Sequence, residues 1–243
     1  MSYVNPKQAI DLIIPAFNEQ DNILPLANAI PKNLFRNIYL VDNGSTDHTA
    51  EYARESGFEV LSETTRGYGA ACLRGLREIE ELEEKPFAIA FLDADLSDNP
   101  ASLPDVVAPI QRGLADFVVA SRTKLADPKS LTITQKYGNK LACFLLLVFA
   151  GHKYTDLGPM RAMHYEELVS LNMRDKTWGW TVEMQFKAAV RKYAIQEIDV
   201  SYRDRHAGKS KISGSISGSI KAGYKIITTI LRLYVQSKVS RNM

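Results

Sequence analysis

Two cysteines in 243 residues, Cys72 and Cys143, are too few for a disulfide framework, and neither has metal-ligand spacing or a nearby His partner. Both are read as reduced thiols, the usage of a cytosolic protein. Long apolar runs are missing too: the longest, Leu141 to Gly151 (LACFLLLVFAG), is about 16 Å of helix against a ~30 Å hydrocarbon core, so no segment is expected to span a bilayer. The first residues, MSYVNPKQAIDLIIPAFNE, show no basic stretch followed by an apolar run, so no secretory signal is expected. With 14 Gly, 10 Pro, 45% hydrophobic and 24% charged residues, collagen-like, low-complexity and globally disordered chains are excluded. A net charge of one sign is also absent, at +2, but its distribution is uneven: from Arg203 onward nine Lys/Arg face one acid, Asp204, so an acidic body carries a basic tail. The tail has no interleaved aromatic platforms, which argues against nucleic acid as a partner.

Short apolar runs alternate with helical patterns over the first 120 residues. Ile10 to Ile14, Ile38 to Val41, Phe58 to Leu61, Phe87 to Leu92 and Phe117 to Ala120 have the length of buried strands. Helices are expected over 21–30, 46–56, 69–84 and 102–112; the second has Ser45 or Thr46 as its N-cap and Gly57 as its stop. This βαβα order predicts a mainly parallel sheet flanked by helices, an α/β fold. Further on, helices are expected over 134–150, 165–171 and 181–192, strands over 159–164 and 195–202, and a helical tail over 213–238. No internal repeat or linker is visible. The chain reads as one α/β domain over 1–212 with a C-terminal amphipathic helical extension over 213–243.

Ligands of an open parallel sheet bind beyond the carboxyl ends of its strands. Four successive strands deliver polar residues there: Pro15-Ala16-Phe17-Asn18-Glu19, Asp42-Asn43-Gly44-Ser45, Thr65-Arg66-Gly67-Tyr68-Gly69 and Asp93-Ala94-Asp95. An Asp after a strand alone is a turn former or helix cap; four such clusters at one edge point to a site. Asp93 and Asp95, one residue apart after FAIAFL, suit a hard divalent ion, Mg²⁺ or Mn²⁺, completed by substrate phosphates and water. The GxG at Gly67 follows the third strand and lacks the full dinucleotide fingerprint, so a Rossmann dehydrogenase fits poorly.

Together, PAFNE, VDNGSTDHT, RGYGAA and FLDADLSD resemble the family 2 glycosyltransferases of the GT-A fold, inverting enzymes that use nucleotide sugars. The resemblance implies that Pro15, Phe17 and Glu19 line a nucleoside pocket, that Asp42 contacts base or ribose, and that Arg66 and Gly67 flank the donor. It also implies that Asp93 and Asp95 carry the metal. Asn43 stands where the family usually has a second Asp; without charge, it is given no metal or catalytic role.

The later half narrows the resemblance to the polyprenyl-phosphate glycosyltransferases, which include the dolichyl-phosphate mannose and glucose synthases. It rests on ASR at 120–122, DLGPMRA at 156–162, WTVE at 180–183 and RHAGKSK at 205–211. Ser97 and Asp98 replace the Gln and His usual in mannose-transferring members, favouring a UDP-sugar such as UDP-glucose over GDP-mannose. The implied acceptor is a polyprenyl phosphate, whose second pKa near ~6 leaves it ionised at neutral pH and in no need of a strong base. A hydroxyl acceptor would need a carboxylate, for which Asp156 and Glu183 are the candidates; the alternatives are that Asp156 braces a turn and Glu183 is a solvated helix residue. Arg122, Arg205 and Lys211 are expected to bind phosphate.

A lipid acceptor implies a membrane surface as partner and a cytoplasmic, peripheral location. On the tail helix Ile220, Ile227, Leu231 and Tyr234 are expected on one face and Lys221, Lys225, Thr228 and Arg232 on another, which fits an interfacial helix on anionic lipid as well as one packed on the domain. Leu141 to Ala150 is a second interface candidate. A soluble glycosyltransferase with a polysaccharide or small-molecule acceptor, and a nucleotide-sugar-binding protein without turnover, are the remaining readings.

Overall fold

The computed structural model describes residues 8–128, 130–207 and 216–241. Seven strands among these residues form one sheet: β1 (Ile10–Ala16), β2 (Asn37–Asp42), β3 (Glu59–Ser62), β4 (Ala88–Phe91), β5 (Phe117–Ala126), β6 (Arg161–His164) and β7 (Ile195–Tyr202), in the order β3-β2-β1-β4-β6-β5-β7. The pairs β1–β2, β1–β4, β2–β3 and β5–β7 are parallel, while β6 runs antiparallel between β4 and β5. The sheet is therefore mainly parallel.

Among the described residues eight α-helices cover both faces: α1 (Gln20–Ala29), α2 (Thr49–Glu55), α3 (Tyr68–Glu81), α4 (Leu103–Gln111), α5 (Ile133–Ala150), α6 (Tyr165–Ser170), α7 (Trp180–Val190) and α8 (Ile216–Arg241). Alternation along the strands divides the core. Ile10, Leu12 and Ile14 of β1, with Ala88 and Ala90 of β4, pack with α1 and α4; Ile13, Ile89 and Phe91 pack with α3 and α7. Burial on both faces is why these strands read as continuous apolar runs.

Three expectations change. Helix α2 starts at Thr49, so Ser45 and Thr46 do not cap it; Asp47 Oδ1 accepts the Thr49 N–H at 3.0 Å and the Thr49 hydroxyl at 2.5 Å. Gly57, at φ +82, follows the helix end as expected. Strand β5 continues to Ala126 because β7 pairs with it through a register shift between Ser121 and Leu125. This places Arg122 inside the strand where the ladder breaks.

The third change concerns α8, which packs on α5 and α7 through a stripe of Thr229, Ile230 and Leu233, one side of the helix away from the expected apolar face; Leu231 is exposed. Lys225 and Arg232, expected in water or on lipid, turn toward the buried Asp175 at 2.8 and 3.7 Å. Ile220 and Lys221 have side chains outside the described residues, as does the domain boundary at 212.

Candidate active site

The carboxyl ends of β1 and β2 and the loop after β3 build one half of the site. The Arg66 guanidinium lies 3.5 Å over the Phe17 ring, and its Nη1 donates to the Asn43 carbonyl at 2.6 Å. Asn43 is buried and fully used: Nδ2 donates to the carbonyls of Glu63 (3.0 Å) and Thr65 (2.7 Å), and Oδ1 accepts the Gly67 N–H at 2.8 Å. Gly67 has φ +144, and a Cβ there would stand 2.0 Å from the Lys176 carbonyl oxygen, so the loop requires glycine. Asp42 Oδ1 accepts the Ser45 N–H at 3.0 Å, which forms the turn leaving β2. Pro15 pairs with Val41 in the β1–β2 ladder, half-buried beneath this turn. Glu19 is buried against Asn22, whose Nδ2 donates to Oε2 at 2.6 Å.

Asp93 and Asp95 stand at the end of β4, in the middle of the edge. Among the described residues Asp93 Oδ1 is buried without a hydrogen-bond partner, and burial together with the neighbouring Asp95 charge pushes the carboxyl up to about 7. Such an orphaned oxygen is what a divalent cation satisfies, so the pair fits Mg²⁺ or Mn²⁺. Among the described residues no cluster of three or more His, Cys, Asp and Glu is arranged to hold a metal, so two carboxylates leave the rest of the shell to a substrate. Asp95 Oδ2 takes Nη2 of Arg205 at 2.7 Å, and Nη1 of that arginine lies 3.5 Å from Glu19 Oε1. The 203–207 loop thus crosses from the β1 side of the site to β4, with the His206 N–H on the Asp95 carbonyl at 3.2 Å. Lys211 lies outside the described residues.

The other half is organised around Arg122. Its Nε and Nη2 donate to Asp156 Oδ2 and Oδ1 at 2.7 and 2.8 Å, and its backbone N–H reaches Oδ2 at 2.8 Å. Burial opposes the Arg122 charge, but the Asp156 carboxylate outweighs it and raises the pKa. Asp156 also accepts the N–H of Leu157 at 2.8 Å. Its loop is tied down by Glu197, which accepts from Thr155 and Asp156, by Gln185 Nε2 on the Asp156 carbonyl, and by Asn139 of α5. A Cβ on Gly158 would meet the Ala120 carbonyl oxygen at 1.9 Å, so this loop too needs glycine against β5.

The two proposed bases therefore change role. Asp156 reaches the site, but its oxygens are occupied by Arg122, so it positions a cation. Glu183 does not reach it: it is buried and accepts the N–H groups of Arg174 and Asp175 at 3.2 and 2.7 Å and the Lys187 ammonium at 2.6 Å. It is neither a base at the site nor a solvated residue, but the anchor of the 174–175 turn. Asp175 in turn buttresses α8, and this turn's Lys176 carbonyl packs on Gly67.

Three residues of the site were given no contact of their own by the sequence, Asp98 entering there only through donor preference. Asp98 is buried with Oδ1 unpartnered among the described residues, and burial pushes it up to about 8. Tyr68 adjoins Asp93 and is itself raised by burial and that carboxylate. Arg161 is fully buried, donates to the carbonyls of Pro159 and Thr181 at 3.2 and 3.0 Å, and places a positive charge near Asp93. Only its position after GPM, inside the 156–162 motif, hinted at this.

A cavity of about 1090 Å³ connects the pieces. Its lining includes Asp93, Asp95, Asp98 and Arg122, the polar Gln135, Lys136 and Lys140 of α5, and the apolar Leu141, Ile226 and Ile227 of α5 and α8. Phe17 and Arg66 do not line it, whereas the carboxylates of β4 do.

Residues 11–199 match the family model for Glycosyl transferase family 2. The chain is 34% identical over 214 residues to an uncharacterised glycosyltransferase of Mycobacterium bovis, covering 88% of this chain and 94% of the relative. It is 28% identical to the UDP-N-acetylglucosamine–dolichyl-phosphate N-acetylglucosaminyltransferase of Methanococcus voltae (92% and 95% covered), and 29% identical to the undecaprenyl-phosphate mannosyltransferase of Micrococcus luteus (85% and 88% covered). Among solved structures, glucosyl-3-phosphoglycerate synthase of Mycobacterium tuberculosis, in complex with Mn²⁺, UDP-glucose and phosphoglyceric acid, shares the fold with a TM-score of 0.73 at 22% identity, over 93% of this chain and 80% of that one.

Proposed function

The chain belongs to glycosyl transferase family 2, and from that premise we propose that it transfers a sugar from a nucleotide-sugar donor to a polyprenyl phosphate with inversion. The observation that carries this reading is the cavity in which Arg122 and the β4 carboxylates share a lining with Leu141 and Ala142 of α5 and Ile226 and Ile227 of α8. It offers a cation for a phosphate and, among polar side chains, an apolar patch for an isoprenoid. The names of the Methanococcus voltae and Micrococcus luteus relatives support the same acceptor class.

In this reading Pro15, Phe17, Glu19, Asp42, Arg66 and Gly67 receive the nucleoside, and Arg205 and Lys211 receive the diphosphate. A UDP-sugar such as UDP-glucose is favoured, in keeping with Ser97 and Asp98 and with the donors named for the Methanococcus voltae relative and the M. tuberculosis structure. Asp93 and Asp95 would hold Mg²⁺ or Mn²⁺, which supplies charge neutralisation for the leaving diphosphate. Arg122, fixed by Asp156, orients the acceptor phosphate. A phosphate oxygen forms the new bond to the anomeric carbon as the bond to the diphosphate breaks and the nucleoside diphosphate leaves. Because the nucleophile is ionised already, no base is required, which agrees with the occupation of Asp156 by Arg122.

The acceptor places the protein at a membrane surface, as a peripheral partner. No helix among the described residues is long and apolar enough to cross a membrane. Helix α5 instead exposes Ile133, Tyr137, Leu141, Phe144 and Val148 at successive turns, Tyr137 at 71% and Phe144 at 59%. Neither α5 nor α8 carries an Asp or Glu, whereas Lys136, Lys140, Arg232 and Lys238 lie along them. An apolar stripe with cations and no carboxylates suits an anionic bilayer, with α5 as a contact beside the cavity and the exposed Tyr224, Leu231, Val235 and Val239 of α8 as a second one.

A soluble acceptor bearing a phosphate, as in the M. tuberculosis structure, is the second reading, and a binding protein without turnover the third. Thermal-shift titration with UDP- and GDP-sugars in Mn²⁺ tests the donor assignment, since a ligand of the folded state raises the melting temperature. Stabilisation by UDP-sugars alone is expected; no response to any nucleotide would overturn the reading. Slow donor hydrolysis in Mn²⁺ separates an enzyme from a binder.

A further inference from the structure

We infer that Asn43 is a positioning residue that sets donor affinity through Arg66, and that its amide is required there in place of a carboxylate. The inference rests on the proposed donor site.

The side chain of Asn43 is 7% exposed: it gives both amide hydrogens to the carbonyls of Glu63 and Thr65 and accepts the Gly67 N–H, while the Asn43 backbone carbonyl holds Arg66. Every one of these contacts falls on the segment 63–67. Arg66, between two tethered neighbours, is held flat on Phe17 with its guanidinium 3.5 Å above the ring. Gly67 is pressed against the Lys176 carbonyl on its far side, so the segment is clamped from both directions.

An aspartate has the same shape but cannot donate. At position 43 its second oxygen would face the Glu63 and Thr65 carbonyl oxygens across 3.0 and 2.7 Å, replacing two hydrogen bonds by two repulsions in a buried site. The segment would have to shift and take Arg66 off Phe17. The platform that meets the nucleobase is thus built by an amide that need not touch the nucleotide itself.

The test is a double-mutant cycle on the full chain with UDP and, separately, GDP in excess Mn²⁺, read by calorimetric Kd, with KM for donor and acceptor measured alongside. Asn43→Asp is expected to weaken nucleotide binding by about tenfold, with acceptor KM unchanged. In an Arg66→Ala background the same substitution is expected to have no further effect, because the group it acts through is gone. Asn43→Ser, which removes the amide without adding charge, serves if the aspartate fails to fold. Nucleotide affinity equal to wild type, or an equal penalty with and without Arg66, would overturn the inference. A wild-type protein that binds neither nucleotide would overturn the donor site on which it rests, a result distinguishable from both.

Discussion

Arg122 and Asp156 lock together through three hydrogen bonds, two from the guanidinium and one from the Arg122 backbone, across 34 residues of chain. The pair joins the irregular end of β5 to the loop after α5, and both members line the cavity. Asp156→Ala leaves a buried guanidinium without its counter-charge and is expected to destabilise the fold by about 3–5 kcal/mol in chemical denaturation. Arg122→Lys keeps the charge but loses the fork, and is expected to raise the acceptor KM by about tenfold or more while donor KM stays constant. Equal effects on both substrates would contradict the role given to Arg122.

Asp93 combines an unpartnered buried oxygen with a carboxyl pushed up to about 7. The cost of keeping it is a functional one, so stability and activity should move apart. Asp93→Asn is expected to leave the melting temperature unchanged or raise it, while turnover in Mn²⁺ falls on the order of 10²–10³-fold. Undiminished turnover by an Asp93→Ala, Asp95→Ala double variant would remove the metal role.

Arg205 makes a different prediction, of two opposite signs. Its guanidinium occupies Asp95 and approaches Glu19. Arg205→Ala is expected to strengthen Mn²⁺ binding in the absence of nucleotide, since a competing cation has left the carboxylate. The same change is expected to weaken UDP binding, because the cation for the diphosphate is lost. Paramagnetic titration of Mn²⁺ with and without UDP reads both.

Much of this arrangement was legible in the sequence, and what was not has identifiable causes. Strands β1, β2 and β4 announce themselves because burial on both faces demands unbroken apolar runs, and the polar residues after them mark the edge. The direction of β6 carries no such mark: four residues, RAMH, read alike in a parallel or an antiparallel ladder. The second half of β5, TKLA, is mostly exposed and shows no apolar pattern, so its pairing depends on β7 alone. Glu183 was misplaced because its partners, the N–H groups at 174 and 175, are brought to it by the fold. In α8 two stripes compete on a weakly amphipathic helix, and the buried Asp175 decides between them by drawing in Lys225, with the half-exposed Arg232 at its edge. Asn43 stood out as a departure from a motif, but its three partners lie on another loop.

Asp175 also gives a pH dependence. Burial would raise its carboxyl, but Lys225 and Thr177 outweigh burial and hold it below the usual carboxylate range. A depressed folded pKa contributes stability above the unfolded value, near ~3.9, and loses it as pH falls through the folded one. Docking of α8 is therefore expected to hold at neutral pH and loosen only in acid below about pH 4. Amide exchange in 223–239 is the measurement; Lys225→Ala should show faster exchange there already at neutral pH.

The exposed stripe of α5 makes membrane contact separable from catalysis. Phe144→Glu places a carboxylate on a surface that has none and should abolish co-flotation with anionic vesicles, while UDP-sugar binding stays at the wild-type level. Flotation unchanged by this substitution would move the contact elsewhere.

The most direct measurement of the central claim is transfer itself: the full chain with UDP-glucose, Mn²⁺ and a short-chain polyprenyl phosphate, products separated and identified by mass spectrometry. The account predicts a sugar joined to the lipid phosphate, one UDP released per product, and loss of both in Asp93→Ala, Asp95→Ala. A sugar transferred to phosphoglycerate or a free saccharide in preference to the lipid phosphate would contradict it.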